Sequence, residues 1–369
     1  MISIINVLSK FITEKQVIYL KTLFDETRIS NMKLKNRFIR SAIWEGLADE
    51  KGHVTQELID HYEELARGGV GTIITGFANV MKFDKPTNNM NGIYDDNFIE
   101  EYRVLTNKVH EYDTNIIMQI VHGGPKWGPS EVEHVAMKTT SKEMSLEDIK
   151  EIVQAFGDAA FRVKEAGFDG VQLHAAHGFL LSMFLNPYYN RRSDDYGGSI
   201  GNRARIIFES YRAVRDAVGD DFPVLIKVNA EDFMDEGLTS QDSLFVCKAL
   251  SEMGVDLIEV SGGSFSSMEG MGPIRSNVDS KDKEAYFKDY AERIAEEVDV
   301  PVALVGGNRS MDCMDEILNN GKIEYFSLAR PFIREPDLIN RWQRGDTEPA
   351  LCVSCNSGCY GVKNGCRFN

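Results

Sequence analysis

Side chains that could bind a ligand or carry out chemistry follow a series of short apolar segments in this chain. They are Ser41, Ala42, Ile43, Trp44, Gly76, Gln119, His122, His174, His177, Lys227, Ser261, Gly262, Gly263, Gly306, Gly307 and Arg330. Ordinary surface loops would carry scattered polar residues, whereas this set collects amides, imidazoles, cations and glycines at successive segment ends. Such a collection favours one functional site.

Two of these segment ends suit an anionic group. Gly306 and Gly307 would let backbone N–H groups approach a phosphate closely, although a tight turn needs glycines as well. Ala329 and Arg330 follow the next apolar segment, and the arginine adds a planar donor of matching charge. The two segments together predict a phosphate site.

The other polar groups suit a redox-active ring and its substrate. Gln119 offers a donor and an acceptor to the edge of a flavin's pyrimidine ring. Lys227 could stabilise negative charge on a reduced flavin, or it could form a Schiff base. His174 and His177 could bind a metal, form a structural pair or donate to an anionic oxygen. We favour donation to a substrate oxygen, because no nearby carboxylate completes a metal site.

The apolar segments alternate with amphipathic ones along the chain. The predicted strands are Phe38–Ile43, Gly71–Gly76, Asn115–Val121, Asp169–His174, Val224–Val228, Leu257–Ser261, Val302–Gly306 and Tyr325–Ala329. Continuous apolar runs are typical of parallel strands buried on both faces. Ser145 and Thr239 each begin a predicted helix, with an aspartate three residues later that suits a capping box. This alternation, without G-x-G-x-x-G after an early strand, predicts a single (β/α)₈ barrel.

The composition is that of a globular protein with a sizeable core. The 369 residues are 43% apolar and 27% charged, with a net charge of −16. This acidity argues against nucleic acid or an anionic membrane as a partner and leaves a small-molecule substrate, with a homo-oligomer still open. No segment predicts a membrane span. Met1–Lys21 lacks the features of a signal peptide, so we expect an N-terminal helix or arm and a cytoplasmic protein.

The six cysteines fall into two groups. Cys247 and Cys313 lie isolated in helical patterns and are predicted to be buried apolar residues. The others cluster near the C-terminus, at Cys352, Cys355, Cys359 and Cys366. In a cytoplasmic protein, thiols at this density favour metal binding over disulfides.

Longer motifs carry a resemblance to a known family. The most specific is His174-Ala-Ala-His-Gly-Phe-Leu-Leu-Ser-Met-Phe-Leu185, followed by Asn190-Arg-Arg-Ser-Asp-Asp-Tyr-Gly-Gly-Ser199 and Asn202-Arg203. Supporting motifs are Leu34-Lys-Asn-Arg-Phe38, Gln119-Ile-Val-His-Gly123 and Leu328-Ala-Arg-Pro-Phe332. Over residues 22–345 the chain resembles the old yellow enzyme family of NAD(P)H:flavin oxidoreductases.

The resemblance implies a barrel that binds FMN without a covalent link. The ring system would be contacted by Ser41, Ala42, Ile43, Gly76, Gln119 and Lys227. The phosphate would be held by Gly306, Gly307, Ala329 and Arg330. His174 and His177 would bind the oxygen of an activated alkene such as an α,β-unsaturated carbonyl. NAD(P)H would be the hydride source, and the alkene would accept hydride at its β-carbon.

Two positions depart from the family pattern. Family members often donate the final proton from a tyrosine at the position of Phe179, which has none to give. Tyr188, Tyr189 or water could replace it, or the barrel could support other redox chemistry or little turnover. Trp44 stands where a smaller residue is usual, and would crowd the flavin. A Schiff-base lyase built on Lys227 is a less favoured alternative.

The C-terminal tail resembles part of a larger group of flavoproteins. Its C-x₂-C-x₃-C spacing is similar to the first [4Fe–4S] ligands of the dienoyl-CoA reductase and trimethylamine dehydrogenase group, in which the fourth cysteine usually lies further along. We rank a [4Fe–4S] cluster on Cys352, Cys355, Cys359 and Cys366 first, then zinc, then free thiols. The predicted organisation is an arm (1–21), an FMN-binding barrel (22–345) and a Cys-rich tail (346–369).

Overall fold

The computed structural model describes residues 20–83, 85–124, 126–359 and 361–368. Its strands are β1 (Thr27–Ile29), β2 (Met32–Leu34), β3 (Phe38–Arg40), β4 (Thr72–Ile74), β5 (Ala78–Asn79), β6 (Asn91–Gly92), β7 (Asn115–Val121), β8 (Trp127–Gly128), β9 (Lys142–Glu143), β10 (Gly170–Ala175), β11 (Val224–Asn229), β12 (Leu257–Ser261), β13 (Val302–Val305) and β14 (Ile323–Leu328). Of the predicted N-terminal arm, only Leu20 and Lys21 lie within the described residues.

Helices follow the barrel strands and pack outside them. They are α1 (Gln56–Arg67), α2 (Phe98–His110), α3 (Leu146–Glu165), α4 (Leu180–Leu185), α5 (Ile200–Arg203), α6 (Arg205–Val218), α7 (Ser240–Glu252), α8 (Lys288–Glu297), α9 (Met311–Asn320), α10 (Arg330–Arg334) and α11 (Leu338–Gln343). Short 3₁₀ turns cover Lys281–Lys283 and Val362–Asn364. No helix in the described part of the chain is long and apolar enough to cross a membrane.

Parallel strands close into a barrel. Hydrogen-bonded neighbours run in the order β10, β11, β12, β13, β14, β3, β4 and β7, and β7 then pairs with β10. The predicted (β/α)₈ barrel is confirmed, and every predicted strand overlaps one of these. The first is shorter than predicted, because β3 ends at Arg40 and residues 41–43 leave the sheet to line a cleft.

An apolar layer fills the lower part of the barrel. It contains Ile39, Ile74, Ile117, Leu225, Leu257, Ala303 and Tyr325. The antiparallel β1–β2 hairpin closes the barrel beneath this layer, with Ile29, Met32 and Leu34 packed against it. Because side chains alternate along a strand, the residues two positions further on face inward as well, one layer higher.

Helix starts agree with the sequence, with one difference. Ser145 forms a full capping box with Asp148 at the start of α3. Thr239 also caps α7 by accepting from Asp242 N, but the Asp242 carboxylate binds Arg203 instead of completing the box. The arginine offers the carboxylate a charged partner, which is stronger than a backbone N–H.

The two cysteines outside the tail differ in burial. Cys247, on α7, is fully buried, as the sequence predicts. Cys313, on α9, is only partly buried. Cys313 lies on a partly exposed side of α9, and the helical pattern in the sequence does not show which side of the helix faces outward.

Candidate active site

A cleft of about 360 Å³ opens at the C-terminal ends of the barrel strands. The predicted site residues that line it are Ser41, Ala42, Ile43, Gln119, His174, His177, Lys227, Gly306, Gly307, Ala329 and Arg330. Gly76 adjoins the cleft only through its neighbour Phe77, which lines it. The N–H of Gly76 donates to buried Glu45 at 2.7 Å, and a Cβ there would overlap that carboxylate.

The floor of the cleft contains a buried ion pair. Lys227 Nζ lies 3.2 Å from Glu259 Oε2, and both side chains are almost completely buried. The Ser41 hydroxyl joins them, because it accepts from Lys227 at 2.8 Å and donates to Glu259 Oε1 at 2.7 Å. Lys227 and Glu259 each follow a residue of the apolar layer by two positions on the same strand, so their side chains also point into the barrel. Ser41 follows Ile39 by two positions, directly after β3 ends, and points the same way. Burial lowers the pKa of Lys227, and Glu259 opposes that shift.

Two glutamines extend this floor network. Gln172 Nε2 donates to Glu259 Oε2 at 2.8 Å, and Gln119 Nε2 donates to Gln172 Oε1 at 2.7 Å. Gln119 Oε1 is buried and has no hydrogen-bond partner among the described residues. A buried acceptor without a partner is costly unless a ligand satisfies it. The edge of the network therefore offers an acceptor to a ligand N–H.

Sequence reasoning missed Glu259 and Gln172. Each lies inside a short apolar run, Leu257–Ser261 or Gly170–Ala175, and both are fully buried. A carboxylate in a strand that is buried on both faces requires a cation, and Lys227 on the neighbouring strand β11 was the available one. That signal was present in the sequence.

His174 and His177 lie together in the cleft. Their ring centroids are 5.1 Å apart with the planes at 89°. His177 has a left-handed backbone, with φ of 64°, and its N–H donates to Asn229 Oδ1 at 3.2 Å. Its Nε2 lies 2.7 Å from Ser261 Oγ, whereas buried His174 Nδ1 has no hydrogen-bond partner among the described residues.

Both imidazoles are held in the neutral form. Burial, and then the charge of Lys227, lowers the pKa of His177 to about 3. The pKa of His174 is well below its ordinary value, first because of burial and then because of His177 and Lys227. At neutral pH each ring therefore presents one N–H and one lone pair. This arrangement suits donation to a neutral carbonyl oxygen.

The opposite end of the cleft carries the glycine pair. Gly306 and Gly307 have φ of 118° and 82°, a backbone region that other residues rarely adopt. Tyr286 covers them, and a Cβ on Gly306 would lie 2.7 Å from its ring. The Arg330 guanidinium donates to Arg275 O at 2.9 Å and to Asn356 Oδ1 at 2.5 Å. Arg309, which the sequence analysis did not single out, lines the same end.

The C-terminal tail packs against the end of the barrel at which the cleft opens. Val362 N donates to Trp44 O at 3.3 Å, and Lys363 N donates to Glu45 O at 2.9 Å. A Cβ on Gly361 would lie 3.1 Å from the Trp44 ring. Trp44 lines the cleft, as predicted, and it also supports the tail.

The four tail cysteines share a second cavity of about 240 Å³. Cys352, Cys355, Cys359 and Cys366 line it together with Arg330 and Arg334, and their thiols form no disulfide. Among the described residues, no three His, Cys, Asp or Glu side chains lie close enough to hold a metal ion. The structure therefore places the predicted ligands around one space without bringing them to single-ion distances.

Phe179 lies in the cleft beside the histidines. Its ring centroid is 4.7 Å from that of His174 and 5.2 Å from that of Phe77. Neither tyrosine considered as a substitute proton donor, Tyr188 or Tyr189, lines the cleft. Tyr189 instead donates its hydroxyl proton to Ser266 Oγ at 2.8 Å.

Comparison with known proteins gives a family and near relatives. The model of the NADH:flavin oxidoreductase / NADH oxidase family matches residues 22–348. The chain is 35% identical to an NADPH dehydrogenase of Bacillus subtilis, over 86% of this chain and 92% of that protein. It is also 35% identical to an NADH oxidase of Thermoanaerobacter brockii, over 92% of this chain and 53% of that protein. The chain thus spans about half the length of that relative.

Solved structures share the fold. The old yellow enzyme homologue from Zymomonas mobilis superposes with a TM-score of 0.76, covering 91% of this chain and 97% of its own. The two sequences are 21% identical, so this likeness concerns architecture alone.

Replacing Glu259 with Gln would leave the Lys227 ammonium buried without a counter-charge. We expect the free energy of unfolding at neutral pH to fall by about 3 kcal/mol. This loss of unfolding free energy should become smaller as pH rises. Burial lowers the pKa of Lys227 in the folded protein, and the neutral amine that forms at alkaline pH needs no counter-charge. Denaturant unfolding of both proteins at neutral and alkaline pH measures this.

The matched control removes both charges. Glu259→Gln combined with Lys227→Met should recover most of the lost stability at neutral pH. Losses that simply add across Glu259→Gln, Lys227→Met and the double variant would show that the two groups are not coupled.

Proposed function

Because the chain belongs to the NADH:flavin oxidoreductase / NADH oxidase family, we propose that it binds FMN in the barrel cleft and uses NAD(P)H to reduce an electrophilic acceptor. The acceptor class that suits the site is an activated alkene such as an α,β-unsaturated carbonyl. Similarity to NADPH dehydrogenases and to an NADH oxidase supports this proposal. The observation that carries it is the histidine pair, with ring centroids 5.1 Å apart, in the same cleft as the buried Lys227–Glu259 pair.

The residues present fit FMN. At one end, Gly306 and Gly307 offer backbone that only glycine can provide, and Arg330 and Arg309 supply positive charge for a phosphate. At the other, Gln119 Oε1 needs a donor such as the pyrimidine N–H of the flavin. When bound, FMN would supply the hydride-transfer chemistry. Ser41, Ala42 and Ile43, whose segment crosses the cleft, would support the ring.

Lys227 and Glu259 set the charge at the cleft floor. A lysine beside the pyrimidine edge would stabilise negative charge there, while the carboxylate 3.2 Å away would moderate it. Lys227 is a poor candidate for Schiff-base chemistry, because its Nζ is held by Glu259 and Ser41 and a lyase would leave Gln119 and the histidine pair without a role. The lyase alternative is therefore disfavoured.

His174 and His177 would polarise the acceptor. Two neutral N–H donors can bind a carbonyl oxygen and stabilise the enolate charge that develops on it. Desolvation makes this stabilisation stronger, since His174 is buried and His177 is partly buried. An anionic phenol-type ligand would fit the same two donors.

Replacing both His174 and His177 with Ala should abolish binding of phenol-type ligands and lower enone turnover on the order of a thousandfold, while FMN stays bound. Ligand binding is measured from perturbation of the flavin absorption spectrum, and turnover from NADPH consumption with cyclohexenone. His110→Ala, on the surface, serves as the control and should behave as wild type. Unchanged phenol affinity in the double variant would refute the oxygen-binding role.

We also propose that the tail cysteines hold a [4Fe–4S] cluster. Support comes from the C-x₂-C-x₃-C spacing and from the single cavity that all four cysteines line. One zinc ion would need thiolates within about 2.3 Å of a common centre. A [4Fe–4S] cluster would instead place each thiolate on a different iron. No two of the described cysteines form a disulfide, which fits a reducing cytoplasm.

Protein purified without oxygen should contain about four iron atoms per chain. Cys359→Ser should lose most of this iron, because it removes one of the cavity's thiolates. Cys313→Ser, outside the tail, is the matched control and should keep it. Iron and zinc contents are measured by plasma emission. Stoichiometric zinc, or no metal in the wild type, would overturn the cluster.

A further inference from the structure

The proposed alkene reduction leaves a proton unaccounted for. Phe179 has no acidic hydrogen, and Tyr188 and Tyr189 do not line the cleft. His174 and His177 are committed to the acceptor's oxygen, and Lys227 is paired with Glu259. A side chain that donates a proton to the acceptor's α-carbon must therefore lie elsewhere on the cleft wall, the alternative donor being water.

His134 lies on that wall. It belongs to the excursion between β8 and β9, its side chain is 3% exposed, and it lines the cleft. A Cβ placed on Gly178 would lie 3.8 Å from His134 Nε2. Gly178 is the residue between His177 and Phe179, so Nε2 lies beside the short segment that carries the second histidine and Phe179.

The hydrogen bonding of His134 determines which nitrogen carries its proton. Met137 N donates to Nδ1 at 3.2 Å, so Nδ1 uses its lone pair and Nε2 bears the hydrogen. The ring stacks on Tyr189 with centroids 5.2 Å apart and planes at 20°. The backbone is fixed as well, since His134 N donates to Thr139 O at 2.9 Å. Burial lowers the pKa of His134, which keeps the ring neutral.

We propose that His134 Nε2–H donates the proton to the α-carbon of the acceptor. The proposal rests on the function proposed above. Hydride that originates from NAD(P)H forms a C–H bond at the β-carbon, and the π electrons of the C=C bond shift toward the carbonyl oxygen to give an enolate. The enolate α-carbon then takes the Nε2 proton, which completes the saturated product. An enolate carbon is a stronger base than an imidazolate, the Met137 N–H stabilises the imidazolate formed, and water returns a proton to Nε2.

The test separates protonation from hydride transfer. Hydride addition to a nitroalkene gives a nitronate, which persists in neutral water, whereas an enolate reverts unless it is protonated. In His134→Gln, cyclohexenone turnover should fall on the order of a hundredfold. The ratio of nitrostyrene to cyclohexenone turnover should rise by a similar factor, and free nitronate should appear in the near-ultraviolet. His134→Asn provides a second variant if the first does not fold.

Controls address the other hydroxyl groups nearby. Thr87 lines the cleft with a buried hydroxyl that has no partner in the described chain, and Tyr189 supports the His134 ring. Thr87→Val should keep cyclohexenone turnover. Adding Phe179→Tyr to His134→Gln should restore it, because a phenol then stands at the family's usual position.

The results separate a failure of the His134 role from a failure of the proposed function. If wild-type protein reduces neither acceptor with NADPH or NADH, the proposed function fails. If it reduces both and His134→Gln keeps cyclohexenone turnover, the role of His134 is wrong. If His134→Gln loses both acceptors in parallel, or Thr87→Val shows the selective loss instead, His134 is not the proton donor.

Discussion

The buried pair between Lys227 and Glu259 is the interaction on which the cleft depends. Two charges taken out of water are costly to bury, and they are tolerated here because each also has a polar neighbour. Ser41 bridges the pair, and Gln172 links Glu259 to Gln119. Four barrel strands are joined to the segment after β3 through this one network. A rigid polar floor results, on which a flat aromatic cofactor could lie.

The barrel produces that floor by simple alternation. Apolar residues such as Ile117, Leu225 and Leu257 fill the lower layer, and the residues two positions later are polar. Parallel strands in register bring these polar residues to one level. Above them, loops can vary without disturbing the core, so His177 can adopt a left-handed backbone and Gly306 can approach Tyr286. The lower layer of strand residues thus forms the core of the barrel, and the layer above it, together with the loops, forms the site.

Much of this could be predicted from the sequence, and the reasons are local. Strand positions followed from apolar runs, and the start of α3 followed from the capping box at Ser145. Most of the predicted cofactor residues line one cleft because the ends of barrel strands converge. Glu259 was missed because it lies in an otherwise apolar run that predicts only a buried strand. His134 and Tyr286 could not be found this way, since their long loops are positioned by contacts distant in sequence, such as the stacking of His134 on Tyr189. The spacing of the tail cysteines likewise does not reveal that the tail packs on Trp44.

The central claim is that the cleft holds FMN that accepts hydride from a nicotinamide coenzyme. It is tested most directly by an absorption spectrum of protein purified without oxygen, recorded before and after NADPH and then NADH are added. We expect flavin bands that bleach with at least one coenzyme, and FMN in the supernatant after denaturation. A colourless protein that does not take up added FMN would contradict the claim. The buried ion pair and the histidine pair would then have to serve a reaction that does not use FMN.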